Sequence, residues 1–204
     1  MVRDQIGFPP KVMRRFAELL SQELGREKFK VVLTKAGLPA EWGDPAHFSR
    51  LDDQQAALAY SNLQLAMRTY YGRGARGILL KMGGRLWEKL LGESPLGLKT
   101  RAALIRGLPN KGMRRKAALE LLPKLIGAGN GDMTVHTLDL DLLFVDHASP
   151  TTLGQSDSAP ICFVTHGLIR ECLYWAIGYE HDIEEIACRA GGAKECEFKI
   201  TVGG

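Results

Sequence analysis

The hydrophobic period of the chain changes once, at Gly127-Ala128-Gly129-Asn130-Gly131, and that change limits the fold more than any other feature of its 204 residues. Before it, apolar residues recur at helical spacing. Pro9 and Pro10 open a helix through Val12, Phe16, Leu19 and Leu20 that Gly25 closes, and a second runs over roughly 26–36 to Gly37. Residues 37–50 hold two glycines and two prolines and predict a loop. Asp52 or Asp53 then caps a long helix to Tyr71, another covers about 75–91, and 99–126 is helical in pieces broken at Gly107–Asn110. After the change, Leu138, Leu140, Leu142 and Phe144 alternate with Asp139 and Asp141, which predicts two strands with a tight turn between them. A Ser/Thr/Pro-rich loop over 149–160 leads to an apolar helix from Pro160 to about 177. Two strands follow, near 183–190 and 194–201, joined around Gly191-Gly192. The expected class is α/β of the α+β type, with the C-terminal order β-β-α-β-β.

Composition narrows the class further. With 45% hydrophobic and 25% charged residues, the chain is neither disordered nor fibrous. Its most apolar stretch, 161–178, is interrupted by His166, Arg170 and Glu171 and falls short of the roughly 20 residues a spanning helix needs. The start, Met1-Val2-Arg3-Asp4-Gln5, has no apolar run behind its charge, so no signal peptide is expected and the cytoplasm is the expected compartment. The net charge of +4 divides into +12 over 1–130 and −8 over 131–204. The two parts are read as complementing each other across an internal or dimer contact rather than as a nucleic-acid face. One domain over 1–204 is expected, made of a helical part, 1–130, and a C-terminal core, 131–204.

Several motifs carry little. Gly72-x-Gly74-x-x-Gly77 has the dinucleotide-binding spacing, but a helix precedes it and no βαβ unit surrounds it, so it reads as an interhelical turn. The basic run Arg114-Arg115-Lys116 lacks aromatic interleaving and reads as a solvated helix face. His47, His136 and His147 stand alone and read as structural. Nothing here demands an enzyme.

The four cysteines, Cys162, Cys172, Cys188 and Cys196, all fall in the last 43 residues. Cys162, Glu185, Cys188 and Cys196 follow at spacings of 23, 3 and 8, a set of thiolates and a carboxylate that suits tetrahedral zinc. Cys162 lies in the first turn of its helix, where free N–H groups favour a thiolate. An odd loop centred on Gly192 pairs residue 188 with 196 and puts both thiols on one face, about 5.5 Å apart at Cα. A two-residue turn puts them on opposite faces. Glu185, three residues from Cys188, falls on the other face of a regular strand and reaches the site only through a bulge or a bend. Buried free cysteines also occur simply as small apolar residues.

Pro160-Ile161-Cys162-x4-Gly167, Glu185-x-x-Cys188-x-x-Gly191 and Cys196-x-Phe198-x-Ile200 together resemble the 4-vinyl reductase domain over about 140–201, a hydrocarbon-binding family. Related sensor domains precede bacterial regulators that detect phenol-like aromatics. The resemblance implies a structural zinc on Cys162, Glu185, Cys188 and Cys196, with Cys172 left to helix packing. It also implies a fold shared with the small vesicle-tethering subunits of the TRAPP complex: helices over an antiparallel sheet of about four strands, usually homodimeric, with an apolar pocket.

A closed four-ligand zinc clamps rather than catalyses, so the expected function is binding or sensing of an apolar small molecule, whether hydrocarbon, aromatic or tetrapyrrole, with a separate protein partner allowed. His166 and Trp175 are the expected pocket residues. One alternative is a 4-vinyl reductase or accessory factor in bacteriochlorophyll biosynthesis, for which no hydride-donor motif is present. The second is a TRAPP-like assembly subunit.

Overall fold

The computed structural model describes residues 6–202; the opening Met1–Gln5 segment, read above for a leader, lies outside the described residues. Seven α-helices precede or interrupt four strands: α1 (Pro10–Leu24), α2 (Arg26–Lys35), α3 (Asp53–Tyr71), α4 (Gly74–Gly92), α5 (Leu96–Gly107), α6 (Lys111–Ile126), β1 (Met133–Leu138), β2 (Asp141–Asp146), α7 (Phe163–Ile177), β3 (Asp182–Ala187) and β4 (Cys196–Thr201). The α+β class and the order β-β-α-β-β stand as read. Among the described residues no helix is long and apolar enough to cross a membrane.

Local chemistry sets the helix ends. The Asp52 side chain accepts from the Gln55 N–H at 2.8 Å while Gln55 Oε1 accepts from the Asp52 N–H at 3.1 Å, a reciprocal cap that starts α3. Asn110 caps α6 by accepting from the N–H groups of Gly112 and Met113. Gly127 ends that helix in the left-handed region, at φ 78°. The loop over 37–50 contains two short 3-10 turns that bury Phe48 against Trp42.

The sheet is antiparallel throughout, in the order β1-β2-β4-β3. Asp139 and Leu140 make the tight turn of the first hairpin, with Asp139 at φ 51°. One face of the sheet is buried: Leu142, Phe144 and Asp146 of β2 lie opposite Ile200, Phe198 and Cys196 of β4. Phe144 and Phe198 meet edge to face at 6.3 Å, a pairing that adds about 1 kcal/mol to their area burial.

Two sequence-based boundaries move around the cysteines. Helix α7 begins at Phe163, not Pro160, so Cys162 is its N-cap rather than a residue of its first turn. The second hairpin is shorter than expected: β3 stops at Ala187, and Arg189–Gly191 form a 3-10 turn ended by Gly192 at φ 91°. Helix α7 packs mainly against α4 and next against α6, with slight contact to β3. Arg68 of α3 pairs with Asp157 at 2.7 Å, one ionic tie between the basic front and the acidic back.

Candidate metal centre

Three segments bring four ligand-bearing side chains to one buried point. Cys162 arrives at the head of α7, Glu185 and Cys188 on and just beyond β3, and Cys196 as the first residue of β4. The register explains how Glu185 joins them. Glu184 pairs with Lys199 and Glu185 with Phe198, but Ala187, not Ile186, pairs with Glu197. Ile186 is therefore an extra, bulged residue, half exposed, and the alternation resets behind it. Glu185 and Cys188 are both buried as a result. Continued by one residue, the Ala187–Glu197 register sets Cys188 opposite Cys196, the relation that the odd loop requires.

All four ligand atoms lie within 4.8 Å of one another, so this group can hold a metal ion. Cys162 Sγ stands 3.5 Å from Cys196 Sγ and 4.0 Å from Cys188 Sγ, and all four cysteines are free thiols. Thiolates at about 2.3 Å from a tetrahedral zinc stand about 3.8 Å apart, between those two values. The donor set also carries an orphan: Glu185 Oε2 accepts from the Cys162 N–H at 3.0 Å, whereas its buried Oε1 has no partner. A cation would satisfy that oxygen.

Electrostatics point the same way. Burial pushes the Glu185 carboxyl up to about 8, an expensive place for an anion that a cation would relieve. Hydrogen bonds from Cys162 and then Cys196 hold the Cys188 thiol far below its ordinary value, while bonding to Cys188 and then Cys196 keeps Cys162 well above. Three thiolates and a carboxylate around a divalent ion sum to −2, and nearby donors face that charge. The Arg189 N–H reaches Cys196 Sγ at 3.4 Å, and Ser149 Oγ lies 3.6 Å from Cys162 Sγ. Asp146, opposite Cys196 in the sheet, is itself pushed up to about 7 by burial. Neither Ser149 nor Asp146 was legible as a neighbour of this group, because only the β2–β4 pairing places them there.

The other expected site residues separate. Cys172 is buried in α7 outside the ligand group. His166 lies over Phe198, ring centroids 6.4 Å apart, and burial followed by Arg76 brings it down to about 4, so it is neutral near pH 7. Trp175 lines a groove of about 650 Å³ with Trp87, 5.5 Å away, and the Arg106 guanidinium sits 6.0 Å over its ring. Nine residues apart on one helix, His166 and Trp175 point to opposite sides and do not share a pocket. The lone histidines have ordinary partners: His47 bonds the Asp44 carbonyl, His136 bonds Thr134, and His147 bonds Thr134 and Glu195. Gly72 and Gly74 end α3 and begin α4, as an interhelical turn should.

No protein-family profile matches the chain, and no curated protein matches it. Two solved structures are similar in fold. One is the phenol-responsive sensory domain of the transcription activator PoxR with phenol, 15% identical, with a TM-score of 0.52 over 71% of this chain and 73% of that one. The other is an H-NOX protein from S. oneidensis in the Fe(II)NO ligation state, 11% identical, with a TM-score of 0.56 over 94% of this chain and 99% of that one. The chain therefore shares its overall fold with these two proteins.

Proposed function

We propose that this chain is a binding or sensing domain for an apolar small molecule, with one structural zinc held by Cys162, Glu185, Cys188 and Cys196. The observation that carries the reading is the convergence of three thiols and a carboxylate from three segments at one buried point. Likeness in fold to a phenol-responsive sensory domain and an H-NOX protein supports the sensing half of it.

Bound there, zinc supplies a Lewis-acidic crosslink between the head of α7 and the second hairpin. The protein's own part is to present and offset the ligands. The bulge at Ile186 brings Cys188 to the inner face that Glu185 already shares with Ile183, the Cys162 N–H orients the Glu185 carboxylate, and the Arg189 N–H faces the Cys196 sulfur. Four protein ligands leave no open position, so recognition belongs to the cavities around the clamp. The reading includes a homodimer in a reducing cytoplasm, in keeping with four free thiols, and leaves room for a separate signalling partner.

Metal analysis of the purified chain tests the clamp: about one zinc per chain is expected, lost together with the fold in Cys196→Ser. A folded chain without metal, or a Cys196→Ser variant that keeps it, overturns the zinc assignment. Native mass spectrometry after gentle extraction tests the sensing half, by the retention of a hydrophobic molecule. Turnover of a divinyl tetrapyrrole with added reductant would make the chain a 4-vinyl reductase or accessory factor instead. A ligand-free chain whose dimer face alone carries its interactions would make it a TRAPP-like assembly subunit.

A further inference from the structure

Within the run Arg114-Arg115-Lys116, Arg115 is not on the solvated face that the composition suggests, whereas Lys116 is exposed. Arg115, near the start of α6, is 7% exposed. Its Nε donates to His181 Nε2 at 2.8 Å and its Nη2 to the Tyr179 hydroxyl. Tyr179 and His181 stack at 5.0 Å, and the guanidinium and Lys111 Nζ lie 5.6 and 5.1 Å from the Tyr179 ring. These partners fix the guanidinium without neutralising it. Burial and then Arg115 itself lower His181 from its ordinary value, and among the described residues Arg115 makes no ion pair. A buried charge with no counter-ion is costly, and arginine is the residue suited to meeting a carboxylate through two parallel hydrogen bonds.

Arg115 also lines a cavity of about 280 Å³ between α6 and the β1–β2 hairpin. Met113, Leu140, Leu142 and Val202 supply its apolar wall, and Lys116 is its second cation. Among the described residues no acidic side chain lines it. The nearby acid is committed elsewhere: Asp141 Oδ1 accepts from the Val202 N–H at 3.0 Å, and Oδ2 faces Lys199 Nζ at 3.4 Å. The wall includes the first turn of α6, whose dipole favours an anion, although Asn110 already accepts two of its N–H groups.

We propose that this cavity binds a small apolar molecule bearing one carboxylate, with the anion on Arg115 and the hydrocarbon body against Met113, Leu140, Leu142 and Val202. This deepens the sensing reading and rests on it. One buried guanidinium, an exposed Lys116 and an apolar wall suit a small monoanion with an apolar body. Neutral hydrocarbons would leave the charge as uncompensated as they found it.

The test uses the zinc-loaded full chain with carbon-13-labelled methionine methyls, titrated with phenylacetate and with its uncharged isostere phenylacetamide. Phenylacetate is expected to shift the Met113 methyl and to bind roughly tenfold or more tightly than the amide. Arg115→Gln should erase that gap and leave the amide unchanged. Because this variant also breaks the bonds to Tyr179 and His181, Leu140→Glu provides a second arm at a largely exposed turn position. Leu140 is also part of the apolar wall, so both probes should weaken, and phenylacetate should weaken about tenfold more than the amide because a like charge now stands at the cavity mouth. Equal binding of the two probes, no effect of Leu140→Glu, or no shift at Met113 overturns the proposal. A hydrophobe retained in native mass spectrometry would still uphold the sensing reading after any of those results.

Discussion

Gly83 of α4 and Gly167 of α7 meet backbone to backbone. A β-carbon on Gly167 would stand 2.1 Å from the Leu80 carbonyl oxygen, and one on Gly83 would stand 2.2 Å from that of Val164. Gly167 is part of the motif that resembles the 4-vinyl reductase domain, and its absent side chain suits close approach by either a ligand or a backbone. Helix α4 takes that space. The crossing seats α7 against the helical part five residues after Cys162, so the N-cap that presents the Cys162 thiol is anchored from both sides.

Adding a methyl group at this crossing should therefore be costly. Gly167→Ala must push two helices apart, and overpacking of this kind costs about 2–3 kcal/mol, against which the better helix propensity of alanine returns about 1 kcal/mol. Gly84→Ala, one residue along, meets only the Glu171 side chain, at 3.4 Å, and should be neutral or slightly stabilising. Urea midpoints at constant m-value separate the two.

The bulge makes a counter-intuitive prediction. Removing Ile186 turns the spacing of Glu185 and Cys188 from three into two, which keeps both on one face of a regular strand. Deletion of this half-exposed residue should leave zinc stoichiometry unchanged, as measured by metal analysis of the purified variant. Loss of the metal would show that the bend at the bulge, and not merely the face it selects, is what aims Glu185.

His166 predicts a pH dependence. Burial, then Arg76 and Arg170, holds its folded value at about 4, below the ordinary 6.5 it has in an unfolded chain. Between those values the unfolded state binds more protons, so stability is full above 6.5 and is lost as pH falls toward 4. A His166 imidazole titration followed by NMR should have its midpoint near 4. Stability of His166→Phe should fall less steeply than wild type over the same window.

Much of this was legible because it is local. Gly25, Gly72 and Gly127 mark helix ends through backbone freedom, Asp52 marks a start through its side-chain cap, and period-two alternation marks the first hairpin. The candidate ligand group was legible as chemistry, three thiols and a carboxylate at a workable spacing, and the structure brings these four side chains together. What escaped depends on the third dimension. Whether Glu185 turns inward is decided by β3 pairing with β4, which no spacing rule encodes. Arg115 looks like its neighbours Arg114 and Lys116 until α6 rotates it beneath Tyr179 and His181. His166 and Trp175 share a helix and an apolar neighbourhood in sequence, yet helical geometry sends them to different sides.

Cys172 separates packing from ligation. It is fully buried in α7, desolvation first and then Glu171 raise its thiol well above the ordinary value, and it stands outside the ligand group. Cys172→Ala removes one buried sulfur and should cost about 1–2 kcal/mol. Cys172→Ser keeps the size but buries a hydroxyl, and if that hydroxyl finds no partner the cost rises by about 1–3 kcal/mol. Both variants should retain the wild-type zinc content, whereas Cys162→Ala should lose it. Denaturation midpoints read beside metal analysis on the three proteins check this, and a Cys172 variant that loses zinc while staying folded would place a fifth group in the metal's environment.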